Sequence, residues 1–354
     1  MASKYLILTS ELRRLCARMR TEGRNKLPGE MEISRQYGYS RQTVRHALLI
    51  LEEEGVIVRV HGSGTYLSGY AGRHGGRIAV LVYGTDEYLY PQLLKDMETV
   101  FSQEGFDIEP YALSGSVMRE REILTGLLSA PPAGIIMEPA KSALPSPNLD
   151  LLKRIGELGI PLVYLHALLP VPENAPCIRD DNEGGAELLV RYLMDTGHRQ
   201  IAGAFKSDDL QGPERYHGFL SALIRAGCPV SEKSILWYDS ENRENLLSGR
   251  RDWLMRYIRN DLSPCSAIMA YNDEIAYQLV RCLTREGLRV PEDIAVVSFD
   301  NSHYCRLGPV SITSLAHERH QMGTAAASAL LRLIRGEKAR SIRLPWTLIQ
   351  RDSG

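Results

Sequence analysis

Arg41, Gln42 and Arg45 stand close together in the stretch Tyr37-Gly38-Tyr39-Ser40-Arg41-Gln42-Thr43-Val44-Arg45. Arg41 and Arg45 are four apart, so a helix puts them on one face, with Gln42 beside them. Arginine pairs bidentately with guanine and glutamine with adenine across the DNA major groove, at about 1–3 kcal/mol of discrimination per good pair. Such chemistry needs an exposed helix, and the surrounding residues supply one. Ser40 is a suitable N-cap, because its hydroxyl can accept from an unpaired amide of the first turn. Gly38 has the freedom in φ that a turn between two helices requires. Val44, Ala47, Leu48 and Leu51 recur at helical spacing and form the face that must be buried. The helix is expected to run to about residue 53 and to stop at Gly55.

The flanking residues complete a small domain. Leu8, Leu12, Leu15 and Met19 predict a helix over 4–20, 25–30 reads as a turn, and 31–37 as a short helix. Two β-prone runs, 56–60 and 65–67, enclose His61-Gly62-Ser63-Gly64, the pattern of a hairpin with a glycine-rich tip. The charge is uneven. The whole chain of 354 residues has net charge −1, but residues 1–70 carry 11 Lys and Arg against 7 Asp and Glu, leaving the remainder at −5. A basic small domain on an acidic larger one fits nucleic-acid binding by the first alone.

A second set of polar residues follows apolar runs farther along. Asp86, Tyr88 and Tyr90 come after a strand over 78–82, Glu138 after 134–137, and His166 after 162–164. Lys206, Asp208, Gln211 and Arg215 follow 201–205, Asn272 follows 268–270, and Asp300 follows 294–299. A further strand is expected over 106–111. Helices are expected over 91–104, 119–129, 151–158, 186–195, 214–226 and 273–285. Repeated βα units predict an α/β fold of parallel sheets covered on both faces. Two series of them predict two lobes, with a ligand at the carboxyl ends of the strands. The set contains forked donors, carboxylates, amides and flat side chains, which suit a small ligand rich in polar groups. Other roles stay open for several residues. Arg215 and Asp300 could serve only as an ion pair between lobes, Tyr88 and Tyr90 as loop packing, and His166 as an ordinary half-exposed histidine. Asp181-Asn182 fits a helix start, and His198 and Arg199 fit a turn.

Residues 4–67 resemble the winged helix-turn-helix of the GntR family. The matching pieces are Lys26-Leu27-Pro28-x-Glu30, Ser40-Arg41-x-Thr43-Val44-Arg45-x-Ala47-Leu48, Leu51-x-x-Glu54-Gly55 and Gly62-x-Gly64-Thr65. Gly29 stands where that family usually has Ser, which weakens the cap of the short helix. The resemblance implies that Ser40, Arg41, Gln42, Thr43 and Arg45 form the reading helix, that His61 and Gly62 sit at the tip of a wing in the minor groove, and that Lys4 and Glu30 give supporting contacts. The partner would be double-stranded operator DNA.

Residues 77–354 resemble the regulatory domain of the LacI/GalR family. The motifs are Asp181-Asn182-x-Gly184-Gly185, Gly197-His198-Arg199-x-Ile201, Arg215-x-x-Gly218-Phe219, Tyr271-Asn272-Asp273 and Val290-Pro291-Glu292-Asp293-Ile294-x-Val296-Val297-x-Phe299-Asp300. That resemblance implies a two-lobed body like the periplasmic sugar-binding proteins, with Arg215, Asn272 and Asp300 on the ligand. The pairing of this head with this body is similar to the arabinose-responsive repressors, which adds Glu138 and Lys206 and implies L-arabinose as effector. The expected organisation is a DNA-binding domain over 1–68, a flexible glycine-rich linker over 69–76, and an effector-binding and dimerisation domain over 77–354. Its lobes are expected at 77–177 plus 306–337, and 178–305 plus 338–354. A homodimer follows from the family and from two-fold operators. Another sugar or a purine, acting also as corepressor, and a sugar carrier or carbohydrate enzyme are the competing readings.

Other chemistries find little support. No apolar run approaches the about 20 residues of a membrane span. The N-terminus lacks the apolar core of a signal peptide, so a cytoplasmic protein is expected. Six scattered cysteines without a C-x-x-C pair fit reduced thiols. His317-Glu318-Arg319-His320 spaces its histidines three apart, one short of the zinc helix H-E-x-x-H. Neither a phosphate-binding G-x-x-x-x-G-K-[ST] loop nor a G-x-S-x-G elbow after a strand occurs. No cofactor, metal or catalytic residue is expected.

Overall fold

The computed structural model describes residues 4–21, 26–60, 64–67 and 76–354. The expected wing-tip residues His61 and Gly62, and all of the expected linker except Gly76, lie outside the described residues.

The head contains α1 (Lys4–Thr21), α2 (Glu30–Tyr37), α3 (Arg41–Glu53), and the antiparallel pair β1 (Ile57–Val60) and β2 (Gly64–Leu67). Leu8, Leu12, Cys16 and Met19 of α1 are buried against Ile33, Val44, Ala47, Leu48, Leu51, Ile57 and Leu67. Cys16 is buried as well, and Leu15 is half-buried at the edge of the same core. Gly38 ends α2 in the left-handed region at φ 69°, and the Ser40 hydroxyl accepts from the Thr43 amide at 3.3 Å to start α3. Gly29 gives α2 no side-chain cap, and Glu30 and Glu32 in its first turn complement the helix dipole instead.

The body begins with β3 (Arg77–Val82), α4 (Tyr90–Gln103), β4 (Asp107–Ala112), α5 (Val117–Ser129), β5 (Gly134–Met137), α6 (Leu149–Glu157), β6 (Leu162–Leu165) and β7 (Cys177–Asp180). It continues with α7 (Asn182–Asp195), β8 (Ile201–Lys206), α8 (Gln211–Arg225), β9 (Ile235–Tyr238), α9 (Ser240–Leu247), α10 (Asp252–Asn260), β10 (Ala267–Ala270), α11 (Asp273–Arg285), β11 (Ala295–Phe299) and β12 (Thr313–Ala316). Last come α12 (Gln321–Ile334), β13 (Ile342–Leu344) and β14 (Thr347–Ile349). The strands form two six-stranded sheets, in the orders β13-β7-β6-β5-β3-β4 and β14-β12-β11-β10-β8-β9. All pairings are parallel except β12 with β14. The central strands are apolar on both faces, as helices on both sides demand.

The division into lobes differs from the expected one. β7 pairs with β6, and β13 pairs with β7, so residues 178–180 and 342–344 belong to the first sheet. β12 pairs with β11, so residues 313–316 belong to the second. The chain therefore crosses between sheets at residue 181, at 317–320 and at 345–346, instead of at 177/178, 305/306 and 337/338. The pairing partners of strands only three or four residues long decide these limits, and short apolar runs do not reveal their partners.

Candidate ligand cleft and nucleic-acid interface

In the head, Arg41, Gln42, Arg45 and His46 are exposed on α3, opposite its buried stripe. The Ser40 hydroxyl also bonds the Thr43 hydroxyl at 2.8 Å, fixing the first turn. Arg45 Nε donates to Glu30 at 2.8 Å, and Arg59 donates to the Arg45 carbonyl at 3.2 Å. Tyr5, next to the exposed Lys4 at the start of α1, stacks on His46 with ring centroids 4.2 Å apart. The first turns of α1 and α2 are thus tied to the second turn of α3, beside the exposed arginines.

In the body, a cleft of about 430 Å³ separates the lobes at the carboxyl ends of the strands. Tyr88, Tyr90, Glu138, His166, Lys206, Gln211, Arg215, Asn272 and Asp300 all line it. Two expected residues do not. Asp86 is exposed on the outer side of the loop after β3, and Tyr88, at φ 58°, turns the chain back to the cleft. Asp208 lies behind the wall, where it pairs with Lys206 at 3.0 Å and accepts from the Ser240 amide at 3.1 Å. Asp209 faces the cleft in its place and accepts from Lys206 at 3.0 Å.

Arg215 is 1% exposed and anchors the second lobe's wall. Its guanidinium lies 4.1 Å from the Phe299 ring centroid and 4.8 Å from that of Tyr271, a cation–π seat on two faces. Nε donates to the Asn182 side chain at 2.9 Å, Nη1 donates to the Tyr271 carbonyl, and Nη2 stands 3.6 Å from Asp300. Arg215 and Asp300 both belong to the second lobe, so they are not an inter-lobe pair. That link is made by Tyr88, which reaches from the first lobe and donates to Asp300 at 2.5 Å. Burial, then the nearby carboxylates, push the Tyr88 and Tyr90 hydroxyls well above their ordinary range, so both remain donors. Burial also raises the Asp300 carboxyl, against the pull of Arg215.

The rest of the wall is similarly paired. Glu138 accepts from the Tyr83 amide and the Tyr90 hydroxyl, each at 3.3 Å. Burial would lower Lys206, but Asp209 and Asp208 more than reverse this and keep it charged. Tyr271 donates to Asp209 at 2.7 Å, and Gln211 donates to Asp180 at 2.9 Å. Asn272 caps α11 through its carbonyl oxygen, which accepts from the Ile275 amide at 3.1 Å. Tyr88, His166 and Asp300 all hold positive φ, at 58°, 60° and 97°. Such strain is retained where the surroundings over-determine it, commonly at ligand sites.

Several wall residues were not anticipated: Tyr83, Asp180, Arg243, His317 and Trp346. Asp180 opens the run Asp180-Asp181-Asn182, of which Asp181 caps α7 by accepting from the Gly184 amide. His317 belongs to the His-Glu-Arg-His segment, whose two histidines bind separate carboxylates, His317 on Asp180 and His320 on Asp96, each at 2.7 Å. No spacing marks Trp346. His198 and Arg199 are turn residues, bonded to Ser266 at 2.8 Å and to the Met194 carbonyl at 2.7 Å.

Comparison with known proteins decides the family. Residues 5–67 match the bacterial regulatory proteins of the gntR family, and residues 190–354 match the periplasmic binding protein-like domain. An arabinose metabolism transcriptional repressor of Geobacillus stearothermophilus is 33% identical over 94% of this chain and 91% of its own length. This chain belongs to the same family. Another member, from Halalkalibacterium halodurans, is 31% identical over 88% of this chain and 84% of its own. Among solved structures, a transcriptional regulator CelR–cellobiose complex shares the fold, with TM-score 0.68 at 24% identity over 93% of this chain and all of that one. As a member of the family, the chain is a transcriptional repressor with a winged helix-turn-helix head and a sugar-binding type of body. No described helix is long and apolar enough to cross a membrane.

Proposed function

We propose that this chain is a cytoplasmic, homodimeric repressor that releases its operator when L-arabinose fills the cleft. The carrying observation is the link from Tyr88 to Asp300 to Arg215, which joins both lobes through groups that can also bond sugar hydroxyls. A pentose supplies hydroxyls that both donate and accept, and Glu138, Lys206, Asp209, Gln211, Asn272 and Asp300 offer the complements. The aromatic walls suit its less polar face. Arg41, Gln42 and Arg45 read bases, with Lys4, Glu30, Ser40, Thr43, His61 and Gly62 in support. Two copies present two such helices to a two-fold operator. A ligand must prefer one state by about 5.5 kcal/mol to turn a 1:99 population into 99:1, so a weaker preference gives graded release.

Calorimetric titration with L-arabinose tests the reading, with D-xylose, D-galactose, D-ribose, D-glucose and hypoxanthine as controls. Selective micromolar binding of arabinose is expected. Preference for another sugar or for hypoxanthine overturns the effector, and equal arabinose affinity with and without operator overturns the release mechanism, since linkage is reciprocal.

A further inference from the structure

The chain passes between the lobes three times, and side chains at the three passages meet at one imidazole. His317, in the second passage, places Nε2 2.7 Å from Asp180, the last residue before the first passage. Its Nδ1 lies 2.8 Å from the Pro345 carbonyl in the third. Its ring stacks on Trp346, also in the third passage, with centroids 3.6 Å apart. The first and third passages are further joined by the Asp181 amide, which donates to the Leu344 carbonyl at 2.9 Å. The Asp180 carboxylate and the Pro345 carbonyl thus hold the ring from both nitrogens.

The same imidazole faces the cleft. The other oxygen of Asp180 takes His166 at 3.0 Å from the first lobe and Gln211 at 2.9 Å from the second. Trp346 packs edge-on against Phe299, over which Arg215 lies. Wall groups of both lobes are therefore in contact with all three passages through one side chain. We infer that His317 is the positioning residue of the hinge: it clamps the three passages into one unit, so that a change at the cleft wall moves them together. Only the ligand arm of its test rests on the effector reading above.

Backbone hydrogen exchange on the full chain tests the inference, comparing wild type with His317→Ala and with His317→Gln, which keeps one donor. Without any ligand, His317→Ala is expected to speed exchange about ten- to hundredfold in residues 177–182 and 342–349 as well as 315–320, as loss of a charge-assisted bond implies. His317→Gln should fall between the two. Faster exchange confined to 315–320, or spread evenly over both sheets, overturns the clamp. In wild type, L-arabinose is expected to slow exchange at all three passages. If it does not, the effector assignment fails, while the ligand-free comparison still decides the role of His317.

Discussion

The Arg45 guanidinium, on the exposed side of α3, lies 2.8 Å from the Glu30 carboxylate at the start of α2. Glu30 thereby aims a side chain that is otherwise 60% exposed and free to choose rotamers. Arg45→Ala is expected to cost about 1–3 kcal/mol of discrimination between operator and scrambled duplex. Glu30→Ala leaves the cation but not its aim, so it should narrow the same ratio while non-specific binding tightens. Binding measured at two salt concentrations separates these effects, since lost phosphate contacts would lower the salt slope. Unchanged discrimination in both variants would remove Arg45 from base reading.

The head was legible because its residues speak locally. Ser40, Gly38 and the stripe of Val44, Ala47, Leu48 and Leu51 each report a cap, a turn and a face without reference to distant chain. In the cleft, Glu138, His166 and Asp300 were legible because each directly follows an apolar strand. Asp209 and Asp208 are neighbours, and which of them faces the cleft depends on where Ser240 and Lys141 come to lie. His317 and Trp346 sit beside strands of three or four residues, whose partners lie far away in sequence. Their role follows from sheet order, which periodicity does not contain.

Helices α7 and α8 approach each other across Gly218. A Cβ there would lie 2.3 Å from the Glu183 carbonyl oxygen and 2.7 Å from its Cα, so backbone would have to move. Gly218→Ala is expected to destabilise the body by about 1–3 kcal/mol, the usual cost of overpacking. It should also weaken effector binding, because Arg215 lies one turn earlier on α8 and Asn182 begins α7. Urea unfolding and calorimetry together check this. A variant as stable as wild type would show that the two helices can slide apart freely.

His166 ties stability to pH. Burial pulls its pKa down, but the charge and hydrogen bond of Asp180 more than reverse this, to about 9. A folded value above the unfolded one means that the contribution is complete below about pH 6.5 and is lost as pH climbs through about 9. Asp180 has the opposite sign. Burial would raise it, yet His166 and His317 hold it well below the carboxylate range, so its contribution fades only in strong acid. Wild type is expected to lose on the order of 3 kcal/mol between pH 6.5 and 9.5 through His166, and His166→Gln to lose correspondingly less. Urea unfolding of both proteins at the two pH values measures the difference. Equal losses would assign the pH dependence to other groups.

The Arg215–Asp300 pair is expected to separate stability from ligand response. Both side chains are largely buried, and Asp300 keeps a second partner in Tyr88. Arg215→Ala leaves the carboxylate without its cation, at a cost of about 3–5 kcal/mol for a broken buried pair. Adding Asp300→Asn removes the stranded charge while leaving an acceptor for Tyr88, so the double variant should regain much of that loss. It should not regain the effector response, because the guanidinium seated on Phe299 and Tyr271 is still missing. Operator binding, carried by the head, should persist in the double variant and resist release by L-arabinose. Unfolding curves give the stability cycle, and operator release across an arabinose titration gives the functional one. Recovery of release together with stability would show that Arg215 acts on the fold alone and does not meet the ligand.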